Sequence, residues 1–367
     1  MSLPSPHIFT TNHANYPKGE EFAEVFDIVS GTILTVDGED CRQQRAKIQS
    51  ILSNPRMVSL MARCCHDKVA KGLLPILAHM ASTTTTFDMQ DLIARLVFDQ
   101  TAVPIFSVDP SCLLSNMPSM RVTAARNTVM QVALFKHCVL SSFWKAMRWL
   151  NIGPERRLAS AHVVLHGFVM EMMEKRKAKH VFSNGEHDTE DSILSYYITD
   201  PECSNKTLHK TLLNYMIGGR DTIGRSLPWL LYNLAKNPSV VSSIRNELAP
   251  IASRKVIAVI VSNDPGKRWL YPPGPIERKA VLADDILPSG HKVHRGEGIL
   301  ISIYDMGRME RPRMCLGKDI AIMQMKTIVA SMVWNFDVEV LEGQSIKPKL
   351  SCLLQMENRL MVRVKKR

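Results

Sequence analysis

The chain has 367 residues, with 46 Lys plus Arg against 35 Asp plus Glu for a formal net charge of +11, and is 45% hydrophobic and 22% charged. This is ordinary globular usage, which excludes a disordered, collagen-like or coiled-coil chain, and at about 150 residues per domain the length allows one large core or two smaller ones. The longest purely apolar run, residues 256–261, is far shorter than the ~20 residues that span a bilayer, so no transmembrane or secretory segment is expected.

Apolar residues recur at helical spacing in residues 42–52, 60–80, 92–103, 122–135, 156–177, 208–234 and 240–248. The chain from 37 to about 255 is therefore predicted as a succession of amphipathic helices. Inside the longest of these, Met216-Ile217-Gly218-Gly219-Arg220-Asp221-Thr222 places two glycines where each costs about 1 kcal/mol relative to Ala. The functional reading is that they open the helix beside a flat ligand while Asp221 and Thr222 relay protons to a bound oxygen species. A tolerated helix-packing contact accounts for the glycines equally well. Pro228, without an N–H, is expected to interrupt this helix. In residues 162–166, two histidines at i, i+4 have no Glu between them and no third ligand, and are assigned to a helix surface rather than to zinc.

After residue 255 the texture changes. Residues 256–261 are β-branched, 265–275 form a Pro/Gly loop, and Leu287-Pro288-Ser289-Gly290-His291-Lys292-Val293 reads as a turn leading into a strand. A further helix is predicted from just after Cys315 to about Trp334, followed by alternating strands at 337–340 and 360–364. Eight cysteines without a C-x-x-C pair predict no disulfide framework and no structural zinc. Aromatics are only 6% and basic residues alternate with acids, so no nucleic-acid partner is expected. The positive charge reads either as a field for an acidic partner or as an ordinary solvated surface.

Arg311-Pro312-Arg313-Met314-Cys315-Leu316-Gly317-Lys318 sets a cysteine at the mouth of a helix, after a proline loop and before a glycine that permits close backbone approach. The unpaired N–H groups and dipole of a helix start stabilise a thiolate, and Arg313 is placed to hold an anionic group. An axial haem ligand needs this arrangement, although a buried structural cysteine fits these residues as well.

Taken together, Thr35-Val36-Asp37 through Arg45, Phe98-Asp99 with Val108-Asp109-Pro110, Gly219-Arg220-Asp221-Thr222, Leu270-Tyr271-Pro272-Pro273 and Cys315-Leu316-Gly317-Lys318 resemble the cytochrome P-450 family, in particular its plant mid-chain alkane and fatty-acid hydroxylases. The resemblance implies a single haem-thiolate monooxygenase domain over residues 1–367. It would be mainly α with a small β component, a helical core at about 37–255 and a small β region with the haem loop at about 256–367. It implies haem b ligated through its iron by Cys315, with Arg313 and Arg45 on the propionates, Gly317 in the loop, Gly218 and Gly219 at the oxygen groove, and Asp221 with Thr222 delivering protons. It also implies NADPH electrons through a separate flavoprotein reductase docking near Lys47, Lys318 and Lys326, a long-chain hydrophobic substrate, and, for the family, the cytosolic face of the endoplasmic reticulum.

The chain departs from the family pattern in named places. Arg308 and Arg311 stand where the haem loop has Phe and Gly, Gly266 and Trp269 replace a bracing Glu and Arg, Cys41 replaces a tryptophan, and Ile223 replaces a hydroxyl residue. The N-terminal membrane anchor, the first sheet strands and the meander before the haem loop are expected to be missing, as in a truncated product. The competing expectation is a non-catalytic remnant without stable haem, acting at most as an interaction or hydrophobic-ligand-binding module.

Overall fold

The computed structural model describes residues 7–114, 120–182, 192–198, 200–201, 203–252, 273–302, 315–349 and 351–367. Residues 256–261, Gly266, Trp269, Leu270-Tyr271-Pro272, Arg308, Arg311 and Arg313 lie outside the described residues, and with them the expectations placed there.

Helices α1 (Glu20–Val25) and α2 (Gly38–Ser53) lead into α3 (Pro55–Lys68). Asn54 caps α3 by accepting the Arg56 N–H at 2.9 Å, and Pro55 fills the first helical position, where its missing N–H costs nothing. A five-residue π-helical turn, Val69–Leu73, carries the chain on into α4 (Leu74–Ser82). After the short strand β1 (Phe87–Asp88), Asp88 accepts the Gln90 N–H at 3.0 Å and so starts α5 (Met89–Phe106).

Helix α5 is buried nearly all round, which marks a helix enclosed by others. Leu92, Ile93, Leu96 and Val97 belong to one core cluster, while Phe98, Ala102, Ile105 and Phe106 belong to a second. It is the spine between two cores, and each of these side chains except Ala102 contributes about 1.5–3 kcal/mol on burial. Its fully buried Asp99 accepts the Cys112 and Leu113 N–H groups at 2.9 and 3.1 Å and pairs at 3.0 Å with Lys68, which also meets Asp109 at 2.7 Å. That network gives Phe98-Asp99 and Val108-Asp109-Pro110 a shared structural purpose.

Next come α6 (Arg121–Cys138), α7 (Ser141–Trp149), α8 (Gly153–Phe182), α9 (Ile193–Ile198) and α10 (Asn205–Met216), the last capped by Ser204, which accepts the Thr207 N–H at 3.2 Å. A second π-helical turn, Ile217–Asp221, joins α10 to α11 (Thr222–Ala235), and α12 (Pro238–Ala252) follows. The expected interruption at Pro228 does not occur: α11 runs through it, with Leu227, Trp229, Leu231 and Leu234 buried in a core cluster. Burial of these apolar neighbours outweighs the one backbone hydrogen bond that proline forfeits.

Strands β2 (Ile276–Ala280) and β5 (Gly298–Ser302) pair antiparallel around the hairpin of β3 (Asp285–Ile286) and β4 (Lys292–Val293). Helix α13 (Lys318–Asn335) then runs into β6 (Phe336–Val340), and the chain closes with the β7 (Pro348–Lys349) and β8 (Gln355–Met356) pair and with β9 (Met361–Lys366). Strand β9 lies between β1 and β6, with Phe87 opposite Val362 and Val338 opposite Val364. The fold is mainly helical with small antiparallel sheets. The first α-helix begins at Glu20, earlier than the expected boundary near 37, because α1 is too short for periodicity to show. No helix among the described residues is long and apolar enough to cross a membrane.

Candidate functional site

A cavity of about 640 Å³ opens between the helices, within the ~300–1,000 Å³ typical of ligand and cofactor sites. Cys315, Gly317, Arg45, Gly218, Gly219 and Thr222 all line it. Six of the residues expected from sequence, drawn from α2, the second π-helical turn, α11 and the approach to α13, thus share one wall-to-wall space.

Gly317 is the N-cap of α13, with Cys315 two residues before it, and no side chain caps the first turn. The first N–H of that turn, from Lys318, donates to the Cys315 carbonyl at 3.4 Å, which ties the cysteine to the helix start. Cys315 is exposed, and of the other seven cysteines only Cys352 also lines the cavity. Burial pushes the Cys352 thiol up to about 12, as it does Cys64, Cys65 and Cys112, which disfavours the thiolate at all four. Of the two cavity cysteines, Cys315 is the exposed one and the one at a helix start.

Across the cavity the α10–α11 helix is locally widened by its π-helical turn, a distortion frequent at functional sites. Its two glycines differ. A Cβ at Gly219 would fall 2.8 Å from Cγ2 of Thr101 on α5, so that glycine permits a close helix contact. A Cβ at Gly218 would meet nothing within 4 Å, and it opens onto the cavity. Gly219 thus makes a close packing contact, while Gly218 leaves open space on the cavity wall. Thr222 donates its hydroxyl proton to the Gly218 carbonyl at 2.6 Å, which fixes its oxygen at the wall with lone pairs left to accept.

Asp221 does not line the cavity. Its carboxylate is fully buried and pairs with Arg220 at 2.9 Å and with Arg126 of α6, while Arg220 also reaches Thr123 Oγ1 at 3.1 Å. Burial first, then the charges of Arg220 and Arg225, pull the Arg126 guanidinium well below its ordinary value. Lys47 is likewise committed elsewhere: it pairs with Asp200 and lies 4.2 Å over the Tyr197 ring, so it is not a bare docking charge, whereas Lys318 is exposed. His166 faces His209 at 3.0 Å and His162 lies 3.5 Å from Asp27; among the described residues no group of three metal-ligating side chains gathers.

Sequence reasoning missed the wall residues Lys18, Phe22, Phe26, His137 and Cys352. None belongs to a motif, and only tertiary folding brings them together. The residues present fit a haem: a cysteine at a helix start, an arginine on the rim, open space at Gly218 and Gly317, and otherwise mostly apolar walls.

Residues 11–258 and 312–364 match the family model for cytochrome P-450. Noroxomaritidine synthase of Narcissus aff. pseudonarcissus MK-2014 is 31% identical, with 98% of this chain and 80% of that protein aligned. The alkane hydroxylase MAH1 of Arabidopsis thaliana is 28% identical, with 98% of this chain and 82% of that protein aligned. The cysteine at the helix mouth, the glycine-opened helix across the cavity and these matches make one case: the chain belongs to the cytochrome P-450 family of haem-dependent monooxygenases.

Proposed function

We propose that this chain inserts one oxygen atom into a C–H bond of a long-chain aliphatic substrate, with electrons from NADPH delivered by a separate flavoprotein reductase. The observation that carries the reading is that Cys315 and the opened Gly218 turn line the same cavity. Bound haem supplies the oxygen activation such an insertion requires.

The protein's own residues then have distinct tasks. Cys315 holds the iron as a thiolate, with the N–H groups of the first turn of α13 stabilising its charge. Arg45, on the rim, neutralises a propionate, and Arg313 is assigned the second from the family resemblance. Thr222 presents a hydroxyl oxygen fixed by Gly218 at the cavity wall, where it would accept and pass on a proton. Asp221, held by Arg126 and Arg220 off the cavity, braces that turn from behind and does not itself reach the site. The apolar walls exclude water and favour a hydrocarbon chain. Lys318 at the start of α13 and Lys326 two turns along it supply positive charge for an acidic reductase.

The test is turnover of a long-chain alkane or fatty acid by the haem-loaded chain with NADPH and reductase, with product read by mass spectrometry. An oxygenated product supports the reading; a haem-free chain that binds the ligand and leaves it unchanged returns the protein to the remnant reading. Thr222→Ala is expected to leave haem content intact and divert electrons to peroxide, and unchanged product per NADPH removes the hydroxyl from proton delivery.

A further inference from the structure

Two side chains on the cavity wall carry a buried polar atom with no hydrogen-bond partner, Gln100 through Oε1 and His137 through Nδ1. Gln100 is tied at its other end, its Nε2 reaching the Cys65 carbonyl at 3.4 Å. His137 stands on the last turn of α6 beside a pair of rings, its centroid 6.1 Å from Phe22 and 6.0 Å from Phe26. An unpaired buried polar atom is costly, so a ligand that pairs with it is held more tightly than one that does not.

Charged groups on that wall have partners. Arg278 pairs with Glu21 at 2.6 Å, Glu277 with Lys279 at 3.0 Å, and Lys18 donates to the Ile33 and Val36 carbonyls at 2.7 and 2.6 Å. Around them the cavity is apolar, with Leu34, Ile48, Leu52, Met130 and Leu353. We propose that His137 is a specificity-determining residue whose Nδ1 hydrogen-bonds a neutral hydroxyl on an otherwise apolar substrate. The inference rests on reading this cavity as the substrate site, and it narrows the substrate from any long-chain aliphatic to one that carries a hydroxyl.

A hydroxyl both donates and accepts, so it pairs with either tautomer of the ring. Desolvation, reinforced by Arg278 and Lys136 and opposed by Glu21, lowers the His137 imidazole to about 4, so the ring meets its ligand uncharged at neutral pH. A carboxylate on the ligand would be buried opposite an uncharged ring in a cavity that Glu277 also lines, and would lose its hydration there.

The experiment is calorimetric titration of the full chain with decan-1-ol, decane and decanoate, repeated on His137→Phe and His137→Gln. Decan-1-ol is expected to bind about tenfold more tightly than decane, the order an unpaired buried polar group produces. His137→Phe should abolish that preference without weakening decane, and His137→Gln should keep part of it. Equal affinity of the wild type for decan-1-ol and decane overturns the inference, even if the Phe variant fails to fold. So does a preference that survives in His137→Phe, and decanoate as the tightest ligand overturns the neutral-hydroxyl class. A chain that prefers decan-1-ol through His137 but shows no Soret band refutes the monooxygenase reading and leaves this one standing.

Discussion

Two long helices of this molecule contain a five-residue π-helical turn, Val69–Leu73 between α3 and α4 and Ile217–Asp221 between α10 and α11, and both turns include glycine. At Gly72 a Cβ would meet Leu113 Cδ2 at 2.7 Å, and at Gly219 it would meet Thr101 Cγ2 at 2.8 Å, whereas at Gly218 it would meet nothing. The same backbone device is thus closed by packing in one helix and opened onto a 640 Å³ cavity in the other. A helix distortion becomes a site only where its small residue faces space.

The largest expected effect of testing that contrast is at Gly219. Gly219→Val forces a branched side chain against Thr101, and overpacking of this kind costs about 1–3 kcal/mol. Thermal unfolding should show the loss, and Thr101→Ala in the same chain should recover most of it; absence of recovery denies the contact. Gly218→Val should leave the melting temperature nearly unchanged while reducing the affinity of long-chain ligands, because its side chain enters the cavity. Equal melting losses at Gly218 and Gly219 would erase the distinction between them. Gly72→Ala should be close to neutral, since the tip of Leu113 can turn aside and the helix gains about 1 kcal/mol of propensity.

The helices that carry this contrast were readable in advance, because α5, α6, α8 and α10–α11 are long enough for apolar periodicity to declare them. The helix after Cys315 and the alternating strands β6 and β9 were readable for the same reason. The short α1, α7 and α9 were not, since six to nine residues give too few turns to register a period. Nor was the β1–β9 pairing, where Phe87 meets Val362 across most of the chain. In the site, Cys315, Gly218 and Thr222 stood out because chemistry or backbone freedom demands their residue types. Periodicity does not say which face of a helix opens, so the turning of Asp221 toward Arg126 and the arrival of His137 at the cavity wall left no local signal.

A smaller effect tests the other end of the cavity. His137 has a folded value of about 4 against 6.5 for the ordinary side chain, so the unfolded chain takes up that proton first as pH falls. Its contribution to stability is therefore present above about 6.5 and is lost between about 6.5 and 4. Denaturant unfolding at several pH values should show a shallower acid loss in His137→Phe than in the wild type, and identical slopes would mean that the ring is not buried neutral.

The central claim is that Cys315 presents its thiolate to a haem in this cavity, and the absorption spectrum of the reduced carbon monoxide complex tests it most directly. The wild-type chain is expected to give the thiolate-type band and Cys315→Ala to lose it, with Cys352→Ala retaining it. A thiolate-type band that survives Cys315→Ala would contradict the account.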